Sequence, residues 1–187
     1  MRLIVFTLCM LFAAGAAATA ASSPLEGGSG ARSSLTVSVG AFEATGGSQR
    51  VPEAGLRLRR STRGWLHLIG GGMVTSAGAA HVFLGLSIDV PVGRRVIFRG
   101  SFAPGYYLMG SGEKDLGHPI EFRSGLEVAV PLGGQRSIGI EFYHISNGGL
   151  GPSNPGAEGL SLTLTLPFGR RPGEAPRPAA AAPAATR

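Results

Sequence analysis

The sequence predicts an all-β fold, an eight-stranded antiparallel transmembrane β-barrel. Three observations carry that expectation. Segments of about ten residues repeat with period-two alternation, one face apolar and the other polar or charged. After the N-terminal leader, no segment holds the roughly 20 apolar residues that a membrane-spanning helix requires. The connections alternate between short turns, such as Pro91-Val92-Gly93 and Pro131-Leu132-Gly133-Gly134, and longer stretches such as Gly110 to His118.

The N-terminus has the layout of a cleaved export signal over residues 1–20. Arg2 supplies the positive start, Leu3 to Phe12 the apolar run, and Ala18-Thr19-Ala20 a cleavage choice of small residues. Cys9, the single cysteine, lies inside that segment, so the mature chain has no disulfide and no Cys-based metal site. Residues 21–34 form a linker, and residues 35–168 are the right length for one domain.

The candidate strands follow as Leu35–Phe42, Ala54–Arg60, Gly64–Gly71, His81–Val90, Arg95–Tyr106, Pro119–Val130, Ser137–Ser146 and Glu158–Phe168. The fourth sets Val82, Leu84, Leu86, Ile88 and Val90 against Phe83, Gly85, Ser87 and Asp89. The fifth sets Val96, Phe98 and Phe102 against Arg99. The sixth sets Ile120, Phe122, Leu126, Val128 and Val130 against Glu121, Arg123 and Glu127. The eighth alternates four leucines, Leu160 to Leu166, with Ser161, Thr163 and Thr165. The second and third are the least regular. Apolar residues are expected to face lipid, and Asp89, Arg99, Glu121, Arg123, Glu127 and Glu141 to face inward and pair there. Residues 169–187 are mostly Arg, Pro and Ala with a single Glu, a composition that buries no core and predicts a disordered tail.

The net charge of +6 is modest, and the arginine pairs are not interleaved with aromatics as a nucleic-acid surface requires, so no nucleic-acid partner is expected. His67 and His81 read as barrel-wall or interfacial residues, and His118, before Pro119, as a solvent-exposed loop residue. There is no H-E-x-x-H and no ligand cluster, so neither a metal nor another cofactor is implied.

The chemistry concentrates in Phe142-Tyr143-His144-Ile145-Ser146-Asn147, followed by Asn154 and Glu158. A serine, a histidine and a carboxylate are what an ester hydrolase needs: nucleophile, base, and the acid that orients the base. His144 and Ser146 continue the apolar parity of Ile138, Ile140 and Phe142, and Glu158 shares parity with Leu160. All three therefore fall on the lipid side. With both termini in the periplasm, the segment from Asn147 to Ala157 becomes an external loop.

The run His144-Ile145-Ser146-Asn147, with Pro152, Asn154, Gly156 and Glu158 after it, resembles the PagL family of lipid A 3-O-deacylases. The specific resemblance covers about residues 138–168. It implies an esterase in the bacterial outer membrane, with Ser146 as nucleophile, His144 as general base and then acid, and Glu158 holding the imidazole. It further implies that Asn147, through its backbone N–H, and Asn154 stabilise the oxyanion. The implied substrate is lipid A of lipopolysaccharide, the implied product a 3-hydroxy fatty acid. The acyl chain would lie against Phe142 and Leu160, and arginines or Lys114 on external loops would meet the phosphates. A homodimer is compatible with this arrangement. The alternatives are a small structural or adhesion barrel without activity and a barrel acting on phospholipids, although Ser146 lacks the G-x-S-x-G frame common in lipases.

Overall fold

The computed structural model describes residues 33–44, 50–63, 65–111 and 114–168. They form eight strands: β1 Ser33–Phe42, β2 Val51–Arg63, β3 Leu66–Thr75, β4 Ala80–Val92, β5 Val96–Leu108, β6 Ile120–Gly133, β7 Arg136–Ser146 and β8 Ala157–Phe168. Each pairs antiparallel with its chain neighbours, and β1 pairs with β8 to close the barrel. Closure leaves no unpaired strand edge. The expected export signal and tail lie outside the described residues, as does most of the linker; its last two residues, Ser33 and Ser34, belong to β1.

The alternation sets the two surfaces. Leu56, Leu58, Val82, Leu84, Ile140 and Leu162 stand exposed on the outer wall, whereas Arg57, Arg59, Arg99, Arg123, Glu127 and Glu141 are buried inside. A protein with leucines outside and charges inside has hydrocarbon as its lateral solvent.

Apart from Glu121, the charges expected inside pair there. Arg57 donates to Glu127 at 3.0 Å and to Glu141 at 2.7 Å. Arg123 donates twice to Glu141, at 3.0 and 3.2 Å, and its guanidinium lies 4.0 Å from the Tyr143 ring centroid. Arg99 donates to Glu127 at 2.9 Å, and Arg59 to Asp89 at 2.8 Å. Glu53 accepts from Tyr143 and Ser161. Glu121 is buried inside too, but neither of its oxygens has a hydrogen-bond partner among the described residues.

Most strands extend beyond their expected ends because ladder pairing, which the side-chain pattern does not record, continues to the rims. The largest difference is β3, expected to stop at Gly71 but running to Thr75. Gly70-Gly71-Gly72 erases the alternation, and the reason is packing: a Cβ on Gly71 would lie 2.9 Å from the Arg57 Cα and 3.2 Å from the Phe83 ring. Short turns at 64–65, 93–95 and 134–135 mark one end of the barrel. The connections 43–50, 76–79, 109–119 and 147–156 mark the other.

Replacing Glu141 with Ala leaves two buried guanidinium groups short of a carboxylate. Breaking such a pair costs about 3 kcal/mol or more. Urea unfolding of the protein in lipid vesicles, followed by fluorescence of its single tryptophan, Trp65, should show that loss against wild type.

Candidate active site

His144 and Glu158 are direct register partners on β7 and β8. Their side chains meet on the outer wall, with His144 Nδ1 3.1 Å from Glu158 Oε1. The side chains are 16% and 22% exposed, enough cover to strengthen the contact while leaving the ring edge open. Ser146 follows two residues along the same face of β7, at the loop end, and pairs with Phe122 of β6. The structure thus brings His144 and Glu158, the expected base and acid, into contact. Ser146 lies beside them on the shared face, and its hydroxyl forms no hydrogen bond with the imidazole among the described residues. Catalytic bonds of this kind are often long in the free enzyme and tighten around substrate.

The imidazole is held from a second side by Gly156, which has φ 61°, a backbone state that favours glycine. A Cβ there would lie 2.8 Å from His144 Cε1 and 3.3 Å from Nε2. The ring therefore rests on bare backbone.

Asn147 begins the 147–156 connection and is fully buried, on the inward parity of Tyr143 and Ile145. Its Nδ2 donates at 2.8 Å to the carbonyls of both Leu116 and Ser153, and its Oδ1 accepts from Gly149 N–H at 2.9 Å. The side chain thus ties this connection to the neighbouring one at 109–119. The Asn147 backbone N–H donates to Asn154 Oδ1 at 3.1 Å. Gly148 and Gly149 turn the chain with φ of 63° and 90°. Phe142 and Leu160, expected to flank the acyl chain, are register partners on the outer wall next to the His144–Glu158 pair.

Lys114 does not stand free at the mouth: its Nζ donates to Glu43 at 3.1 and 3.3 Å. His67 and His81 are buried inside the barrel wall. His118 is half-buried instead of exposed, because its Nδ1 accepts from Ile120 N–H at 3.0 Å. No group of three or more metal-ligating side chains occurs among the described residues.

The lipid A 3-O-deacylase (PagL) family model matches residues 45–167. The chain belongs to this family. The crystal structure of the outer membrane enzyme PagL superposes with a TM-score of 0.59 at 19% identity, over 72% of this chain and 99% of that one. Neisserial surface protein A aligns at TM-score 0.49 and 11% identity, over 73% and 96% of the two chains. The Yersinia pestis attachment protein Ail aligns at TM-score 0.44 and 10% identity, over 73% and 99%. No curated protein matches the chain. Membership of the PagL family makes it a lipid A deacylase of the outer membrane.

Motif and parity alone give no role to two residues beside the site. Gly156 stands in the motif, but only the structure gives it a contact. Ser124, on β6, is the register partner of His144 and faces the same way. Its signal in the sequence is a hydroxyl at a parity position otherwise held by Phe122 and Leu126.

Gly156→Ala should leave the barrel folded, judged by heat-modifiable gel mobility, and lower the rate of lipid A deacylation about tenfold or more. Small displacements of a catalytic group carry such costs. Mass spectrometry of lipid A over a time course measures the rate.

Proposed function

We propose that this PagL-family chain is a serine esterase that cleaves the 3-O-linked acyl ester of lipid A and releases a 3-hydroxy fatty acid. The observation that carries the proposal is the 3.1 Å contact between His144 Nδ1 and Glu158 Oε1 on the apolar wall, with Ser146 next along the same face. A water-soluble substrate would not meet a base there. A lipid that diffuses in the leaflet, with its ester at the headgroup boundary, would.

Glu158 accepts a hydrogen bond from Nδ1–H and so fixes the tautomer in which Nε2 has a free lone pair. Nε2 takes the proton of Ser146 as Oγ bonds to the ester carbonyl carbon, and the carbonyl oxygen becomes an oxyanion. The Asn147 N–H and the Asn154 amide are the nearby donors. For the Asn147 N–H to serve, Asn154 must withdraw its Oδ1, and this rotation can bring Asn154 Nδ2 to bear instead. Each donor of this kind is worth about 3 kcal/mol of barrier. Collapse breaks the ester C–O bond, and His144 returns the proton to the leaving sugar hydroxyl. Water, deprotonated by Nε2, then attacks the acyl-Ser146 ester, freeing the fatty acid and restoring the serine.

The reaction would take place at the rim formed by the longer connections, which an even strand count turns toward the outer leaflet, where lipopolysaccharide resides. The 3-O acyl chain would descend along the wall past Phe142 and Leu160.

Purified protein incubated with lipopolysaccharide should remove one 3-hydroxyacyl chain from lipid A. Ser146→Ala should lower the rate by roughly 10⁴-fold or more, and Glu158→Ala by less, since orienting residues cost less than nucleophiles. Unchanged lipid A spectra with wild-type protein would exclude the proposed reaction, and a fully active Glu158→Ala variant would remove that residue from the mechanism.

A further inference from the structure

The outer wall carries a polar group that the hydrolytic steps do not use. On β6, Phe122, Ser124 and Leu126 face outward while Glu121, Arg123 and Glu127 are buried inside. Ser124 is the direct partner of His144 on β7 and of Phe102 on β5. Away from the short-turn rim, where Ser33, Arg60, Thr62 and Arg136 share the outward parity, the outward positions of the described strands are aliphatic, aromatic, glycine or proline, apart from Ser124, His144, Ser146 and Glu158. These four form one contiguous polar group on an apolar surface. Three of them are the proposed triad.

Ser124 is 9% exposed, the smallest side chain among larger neighbours. Phe102, its partner on β5, and Phe122, its loop-side neighbour on β6, border it with their rings stacked, centroids 5.9 Å apart. Its short side chain is thus overtopped by larger ones. It does not hold the catalytic ring: His144 leans to the opposite side, bonded to Glu158 and resting on Gly156 of the β8 side.

Its place along the wall suits another contact. Ser146 pairs with Phe122, so Ser124 lies diagonally from Ser146, one step farther from the rim, at roughly 7–8 Å between Cα atoms. An acyl chain with its carbonyl at Ser146 and its tail running down the wall crosses Ser124 within its first few carbons. We infer that Ser124 is a specificity-determining residue that hydrogen-bonds the 3-hydroxyl of the departing acyl chain. The inference rests on the esterase mechanism proposed above. A hydroxyl on an apolar wall has no water to satisfy it, so a chain with a 3-hydroxyl gains a bond, and a chain without one buries Ser124 unpaired.

The test uses two lipid A substrates that differ only in the 3-O chain, one 3-hydroxyacyl and the other the same length without the hydroxyl. Each is presented in detergent micelles to full-length wild type and to Ser124→Ala. Wild type should favour the hydroxylated chain in kcat/KM by about three- to tenfold, the worth of one net hydrogen bond. Ser124→Ala should reduce that ratio to near one. A wild-type ratio near one overturns the inference without recourse to the variant. So does a variant that keeps the wild-type ratio, including one slowed equally on both lipids. Failure of wild type to release either chain would instead overturn the esterase mechanism, and the inference with it.

Discussion

Glu141 sits between Arg57 and Arg123 inside the barrel, and the orientation of β7 depends on this contact. Side chains on a strand alternate, so slipping the strand by one residue exchanges its faces. A slip would carry Glu141 into hydrocarbon, strip Arg123 of its carboxylate and leave Arg57 with Glu127 alone. With Glu141 fixed inward, Tyr143 and Ile145 follow it inside, and His144 and Ser146 must face out. The site's position on the lipid side is thus set by an ion pair that takes no part in its chemistry.

That pairing has its own requirement. Glu127 and Glu141 are direct neighbours across β6 and β7, an arrangement that would repel if left alone. Arg57 reaches both carboxylates from β2, Arg99 adds a further contact to Glu127, and Arg123 adds two to Glu141. Four strands are joined through the lumen by this alternating chain of charges. Backbone pairing holds adjacent strands, whereas this chain connects strands that share no ladder, such as β2 with β6 and β7.

The wall was legible in the sequence because one physical rule writes it: outside meets hydrocarbon, inside meets charge. Leu160 to Leu166 and Ile120 to Val130 repeat that rule clearly enough to give strand, face and partner type. Where another constraint overrides it, legibility fails. Gly71 answers to close packing against Arg57 and Phe83, and Gly70 and Gly72 lie against Leu84 and Val82, so β3 ends too early in the pattern. Ser124 breaks the apolar parity by a single hydroxyl, which alternation alone treats as tolerable. For the site, parity put His144, Ser146 and Glu158 on one face, and the register confirms that His144 and Glu158 pair directly. Parity is silent on loops. The contacts of Asn147 with Leu116, Ser153 and Asn154 depend on how two connections fold together, which no local pattern encodes.

This difference between wall and loop also divides the work at the site. His144 and Glu158 stand on paired strands of a closed barrel, where backbone ladders on both sides limit their movement, and sites on such elements hold geometry better than sites on loops. The expected oxyanion donors stand on the 147–156 connection and need another source of rigidity. Asn147 supplies it: buried, with its side-chain amide bonded to carbonyls of both connections, it anchors the loop at the residue that follows Ser146. The neighbouring connection at 109–119, remote in sequence from His144, Ser146 and Glu158, therefore becomes part of the frame. Leu116, almost fully buried beneath the mouth, seats that connection in the barrel. The order of Ser146 and its donors thus depends on packing inside the barrel mouth, although the chemistry is proposed to occur on the barrel's outer surface.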